Sequence, residues 1–218
     1  MLPVFIPEGG RNMIVTEIKQ NKNDKTKYSV FVDGQFVFSL VMADILYFHI
    51  KVGEEIPEQT FRFISRELLY EKAQKKALSY LGSLKRTEWD VRKKLESEGY
   101  TEEVCQRVMD FLKEYRYVDD LDYASSFIQD RLRFNPKSKY GMKQELRQKG
   151  VCDEVIDQAL EQADIDEVQY AKELLAKKIS GQGELSDKEK KKAFDFLLRR
   201  GYSYGIIKDA FYALREEE

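Results

Sequence analysis

The strongest constraint on how this chain can fold is a ten-residue phrase that it carries three times. It reads LESEGYTEEV from Leu95 to Val104, LRQKGVCDEV from Leu146 to Val155 and LLRRGYSYGI from Leu197 to Ile206. In each copy an apolar residue stands four places before a glycine, a second apolar residue follows the glycine at once, and a β-branched aliphatic comes four places later. The glycines fall at 99, 150 and 201, two equal steps of 51 residues. A fixed period of that size marks an internal repeat, and so an architecture of like units laid in a row.

Each phrase has the physics of one helix ending and the next beginning. With Gly99 as the left-handed residue after a helix, Leu95 and Tyr100 are the apolar pair that meets when a Schellman motif closes over the last carbonyls. Leu146, Gly150 and Val151 repeat the arrangement, as do Leu197, Gly201 and Tyr202. Thr101 and Ser203 then stand where the following helix needs an N-cap oxygen. The second copy has Cys152 there, leaving Asp153 as a substitute cap. After the caps the apolar spacing is helical: Val104, Val108 and Leu112; Ile156, Ala159 and Leu160; Ile207, Ala210 and Leu214. Upstream, Ala73 and Ala77, Ala124 and Ile128, and Ala171 and Leu175 carry the same four-residue step on a further helix of each unit. Thr87 with Asp90, and Ser186 with Glu189, make box-like helix starts. Each unit is therefore predicted to contain three helices.

From Ile14 to about Leu40 the pattern is β. Tyr28, Val30 and Val32 alternate with Ser29, Phe31 and Asp33, and Asp33-Gly34 supplies a two-residue hairpin turn. Phe31, Phe36 and Phe38 offer apolar surface to a helix. Val41 to Phe48 is expected to form a short helix. Pro57 opens helical spacing that runs to Leu81, as one long helix or as two joined near Tyr70. The fold class is mainly α, three tandem three-helix repeats preceded by a small β-rich region. The expected divisions are 1–56 for the β region, 57–118 for the first repeat with a lead-in helix, 119–167 for the second and 168–218 for the third. Residues before Met13 are expected to be a frayed leader.

Hydrophobic residues make up 42% and charged residues 35%, which suits charged helices with narrow apolar stripes. The net charge of −2 provides no global basic field for nucleic acid. Cys105 holds the place of Ile156 and Ile207, which predicts a buried thiol, whereas Cys152 at a helix start should be exposed. Two distant cysteines and no segment approaching a membrane span suggest a soluble protein of a reducing cytoplasm. No phosphate loop, GxSxG or HExxH is present, and His49 is the only histidine. No cofactor, metal or small-molecule substrate is expected.

The segments KALSYLGSLKRTEWDVRKKLESEGY at 76–100, YVDDLDYASSFIQDR at 117–131, KYGMKQELRQKGV at 139–151 and FLLRRGYS at 196–203 resemble, in order and spacing, those of the RecX family. The resemblance covers roughly the last two-thirds of the chain. It implies three tandem helical repeats in a non-enzymatic protein. The implied partner is the RecA recombinase filament on single-stranded DNA, whose ATP hydrolysis and strand exchange the family restrains.

Two basic runs are candidates for that contact. One holds Lys137, Lys139, Lys143, Arg147 and Lys149, opposed within the run by Glu145 alone; the other includes Lys190, Lys191, Arg199 and Arg200. They are either partner surfaces or solvated helix faces, and the two arginines also suit a helix C-terminus. Weak direct DNA contact through the first run is the alternative, and an adaptor role is a third. Reversing Lys143 and Arg147 to glutamate is expected to weaken regulation and leave the helices intact. An acidic stretch from Asp153 to Glu167 lies between the runs, and Trp89 is expected to pack between repeats.

Overall fold

The computed structural model describes residues 13–22, 24–82, 84–179 and 186–215. The expected leader before Met13 lies outside these residues. The chain divides into two compact units that meet in sequence at Val118 and Asp119.

The first unit begins with an antiparallel meander of β1 (Val15–Gln20), β2 (Lys27–Val32) and β3 (Gln35–Val41). Asp33 and Gly34 turn the hairpin with φ of +50° and +79°, the mirror-image geometry that matches strand twist. A bulge inserts Val37, since Val30 pairs with Phe38 while Phe31 pairs with Phe36. The extra residue lets both Val37 and Phe38 be buried. It also divides the three phenylalanines. Phe38 packs on Phe61 at 5.6 Å between ring centroids, whereas Phe31 and Phe36 meet each other at 5.9 Å and stay partly exposed.

After α1 (Met42–Tyr47) the chain enters α2 (Glu58–Phe63), a π-helical turn at Ile64–Leu68, and α3 (Leu69–Leu81). The helical run is thus continuous from Glu58 to Leu81, the first of the two alternatives offered by the spacing, with a widened turn at Ile64–Leu68. Its apolar stripe, Phe61, Ile64, Leu69, Ala73, Ala77 and Leu81, is buried in one core with the sheet and with α4 (Glu88–Ser97) and α5 (Glu102–Glu114).

The second unit holds α6 (Asp120–Phe134), α7 (Lys139–Gln148), α8 (Asp153–Gln162), α9 (Glu167–Ile179), α10 (Asp187–Leu198) and α11 (Tyr204–Arg215). Two apolar clusters serve its two repeats, one around Ile128, Leu146 and Ile156, the other around Leu175, Leu197 and Ile207.

The repeated phrase has one geometry throughout. Gly99, Gly150 and Gly201 have φ of +85°, +77° and +86°. In each case the glycine N–H and the next N–H reach back to helix carbonyls. Tyr100 N–H donates to Leu95 O at 3.3 Å, Val151 N–H to Leu146 O at 3.2 Å and Tyr202 N–H to Leu197 O at 3.3 Å, the bonds of a Schellman motif. Thr101 and Ser203 cap α5 and α11, while Cys152 holds the cap position of α8 without a side-chain bond. The Ser186 and Glu189 capping box forms in both directions. Trp89 is 44% exposed, with Lys93 over its ring.

Cys105 is buried and Cys152 exposed. Burial pushes the Cys105 thiol up to about 11. Iodoacetamide at neutral pH is therefore expected to modify Cys152 in the folded protein and Cys105 only after denaturation. Mass spectrometry of the intact protein reads this, and equal labelling of both would contradict the burial.

Candidate functional site

The helix pair α7–α8 sets the first basic run. Because the chain reverses at Gly150, residues placed symmetrically about it face one another. Arg147 donates both Nε and Nη2 to Asp153 at 2.6 Å, and Lys143 pairs with Asp157 at 2.5 Å. Hydrogen bonding to Asp153 raises Arg147 above its ordinary value and lowers Asp153 below its own. Lys137 meets Glu145 at 2.7 Å, and Arg131 shares the same carboxylate at 2.8 Å. Burial raises Glu145, but the bonds and charges of Lys137 and Arg131 outweigh it and hold the group below the usual carboxylate range.

The expectation that Glu145 alone opposes this run is therefore corrected. Lys143 and Arg147 are matched by carboxylates of α8, drawn from the acidic stretch that looked separate in the sequence. Glutamates placed at 143 and 147 would face Asp157 and Asp153, so that reversal would disturb the helix pair itself. Lys139 begins α7 and its backbone N–H donates to Glu167 at 2.8 Å; Lys149 follows the last turn of α7 and is exposed.

In the second run Lys190 lies 3.9 Å from Asp187, and Lys191 and Arg199 are exposed. Arg200 differs. Its guanidinium lies 3.9 Å from the Phe196 ring centroid, Nη2 is 3.4 Å from Asn135 Oδ1, and Nε is buried without a partner. Its carbonyl accepts the Ser138 N–H at 3.1 Å. Arg200 thus belongs to the joint between the second and third repeats, with Ser138, Gly141 and Gly201. Sequence reading missed Arg131 and Asn135 because each meets a residue of another element, Arg131 the carboxylate of Glu145 on α7 and Asn135 the guanidinium of Arg200, 65 places on.

A corresponding joint holds the sheet of the first unit to its first repeat. Lys27 on β2 donates to the carbonyl and to the carboxylate of Glu98, each at 2.7 Å, and Lys76 and Lys94 reach the same carboxylate at 2.8 and 2.9 Å. In both places the corner beside a repeat glycine is a docking point. Among the described residues no group of three or more His, Cys, Asp or Glu could hold a metal ion, and no helix is long and apolar enough to cross a membrane.

Four family models match the chain in sequence order. They are the RecX N-terminal domain at residues 13–57 and the first, second and third three-helix domains of RecX at 73–112, 119–160 and 165–211. The chain belongs to the RecX family of regulatory proteins. It is 32% identical to the regulatory protein RecX of Clostridium botulinum (strain Eklund 17B / Type B) over 200 residues, which span 89% of this chain and 93% of that one. It is also 32% identical to the RecX of Clostridioides difficile (strain 630), over 89% of this chain and 92% of the relative. A crystal structure of regulatory protein RecX matches 90% of this chain and 99% of its own, with a TM-score of 0.59 at 28% identity. The RecX of Lactobacillus salivarius matches 67% of this chain and 97% of its own, with a TM-score of 0.62 at 26% identity.

Proposed function

We propose that this protein is a non-enzymatic regulator that binds the RecA filament on single-stranded DNA and slows its ATP hydrolysis and strand exchange. What carries the reading is the collinear match of four RecX domains to a chain whose repeat corners share one geometry. Like units in a row suit a polymeric partner, since each can address a similar surface of a neighbouring protomer. The chemistry of hydrolysis stays with the partner.

The cations that serve such contact best are those the fold does not engage in an internal ion pair. Among the described residues Lys139, Lys191 and Arg199 have side chains without an ion-pair partner, whereas Lys143, Arg147, Lys137 and Arg200 are engaged internally. Sequence-specific DNA reading is disfavoured because α5 starts with Glu102 and Glu103 and α8 with Asp153 and Glu154, where phosphates would be repelled.

A titration of the protein into RecA on single-stranded DNA, read by ATP hydrolysis, tests the proposal. Hydrolysis is expected to fall as the protein is added. Changing Lys139, Lys191 and Arg199 together to glutamine is expected to raise the half-inhibitory concentration about fivefold, about 1 kcal/mol shared over two exposed cations and the half-buried Lys139. Unchanged hydrolysis at several-fold excess would remove the reading. Tight binding to bare duplex that survives high salt would favour a direct DNA-binding protein instead.

A further inference from the structure

The repeats let one unit serve as the reference for another, because positions 51 residues apart occupy equivalent places on the last two helices. In the second repeat the outer cleft between α7 and α8 is stitched by Lys143 to Asp157 and by Arg147 to Asp153. In the first repeat Arg92 crosses the same cleft to Gln106 at 2.8 Å and lies 3.9 Å from Glu102. The third repeat cannot form either stitch. Phe194 stands where Lys143 and Arg92 are, Leu198 replaces Arg147, Tyr204 replaces Asp153, and Lys208 replaces Asp157.

The cleft between α10 and α11 is accordingly a groove of about 530 Å³. Its apolar walls are open to solvent: Leu198 is 45% exposed, Tyr204 69% and Tyr212 52%. Phe194 packs on Tyr204 at 5.2 Å, and Lys208 Nζ lies 5.6 Å from the centre of the Tyr212 ring. One face of each exposed ring is thus engaged within the protein, which is a poor platform for successive stacked bases. A trough between two helices with apolar walls is instead the shape that a third, amphipathic helix fills. The rim carries Lys190, Lys191, Lys208 and Arg215, against one lining carboxylate, Asp195, among the described residues.

We propose that the α10–α11 groove of the third repeat binds an acidic amphipathic peptide segment of a partner protein. Apolar side chains at helical spacing enter between Leu198, Tyr204 and Tyr212, and the carboxylates flanking them meet the rim cations. The inference stands apart from the filament reading, because binding is measured on the isolated protein.

The test uses the whole chain and a fluorescein-labelled 16-residue peptide, roughly four helical turns, with Leu and Phe at helical spacing on a Glu and Ala background. A permuted peptide of the same composition and a labelled oligothymidylate are the comparators. The key variant is Leu198→Arg with Tyr204→Asp, which transplants the ion pair of the second repeat onto two exposed positions of the third. By fluorescence anisotropy the wild type is expected to bind the amphipathic peptide about tenfold more tightly than the permuted one, and the double variant to lose about tenfold. Equal affinity for the two peptides, or unchanged binding by the variant, would overturn the proposal. So would oligothymidylate binding that the variant abolishes while peptide binding persists. Should the double variant lose its helical circular dichroism, Tyr212→Ser, a single exposed truncation, is read by the same criteria.

Discussion

Gly201→Ala is expected to destabilise the second unit by about 3 kcal/mol. Two costs combine. The residue has φ of +86°, where a β-carbon meets the carbonyl that follows it and costs about 1–2 kcal/mol. The same β-carbon would sit 2.6 Å from Ser138 Oγ and 3.1 Å from both the N and the Cα of Gly141. Ser138 cannot simply turn away, because its hydroxyl accepts the Gly141 N–H at 2.9 Å as the N-cap of α7, and its own N–H is bound to the Arg200 carbonyl. Moving it would uncap a helix, a further loss of about 1 kcal/mol. Gly99→Ala is the internal control. It has the same sign of φ, but its nearest obstacle is the Ser39 side chain at 3.2 Å, which can give way. Its cost should stay at about 1–2 kcal/mol. Urea unfolding followed by far-ultraviolet circular dichroism compares the two variants. Equal destabilisation at 99 and 201 would show that the close approach of the two repeats contributes nothing.

The difference between these glycines illustrates which parts of the structure could be seen in the sequence. A Schellman corner is set by residues within six places of one another, so Leu95, Gly99 and Tyr100 and their two counterparts stand out in a single line of text. So do the caps Thr87, Thr101 and Ser186, each bonded to an N–H three residues on. The Ser138–Gly201 contact joins residues 63 places apart, and nothing in the residues around Gly201 points to Ser138. The ion pairs of α7 and α8 lie between these extremes. Charges of opposite sign stand three and seven places on either side of Gly150, which is the arrangement an antiparallel helix pair requires. Reading the basic and acidic stretches as separate surfaces missed that symmetry. The expectation that Phe31, Phe36 and Phe38 together offer a surface to a helix is met by Phe38 on Phe61, and strict alternation cannot anticipate the bulge at Val37 that parts Phe36 from Phe38. The groove of the third repeat was legible in principle, since laying the three units over one another shows that the charged pair positions have become aromatic and aliphatic.

The same comparison gives weight to Glu98, the residue before the first repeat glycine, whose place is held by Lys149 and Arg200 in the other units. Its side chain is 14% exposed and surrounded by Lys27, Lys76 and Lys94. Burial raises its proton affinity, but hydrogen bonds from the three ammonium groups outweigh that and hold the carboxyl far below the usual carboxylate range. An acid whose folded value is depressed stabilises the protein fully above its unfolded value, near 4.5, and loses that contribution as pH falls through the folded one. Glu98→Gln is therefore expected to cost about 2 kcal/mol at pH 7 and progressively less as the pH drops below about 4.5. The loss has a definite location. Lys27 would face an amide instead of a carboxylate while still donating to the carbonyl at 98, so β2 would be held to the first repeat by the backbone contact and the packing of Gly99 on Ser39. Hydrogen exchange should then quicken in β2 and β3 while α6 to α11 keep their protection, and urea midpoints of variant and wild type should converge in acid. A constant gap between the two across the pH range would mean that Glu98 contributes through its shape and not its charge.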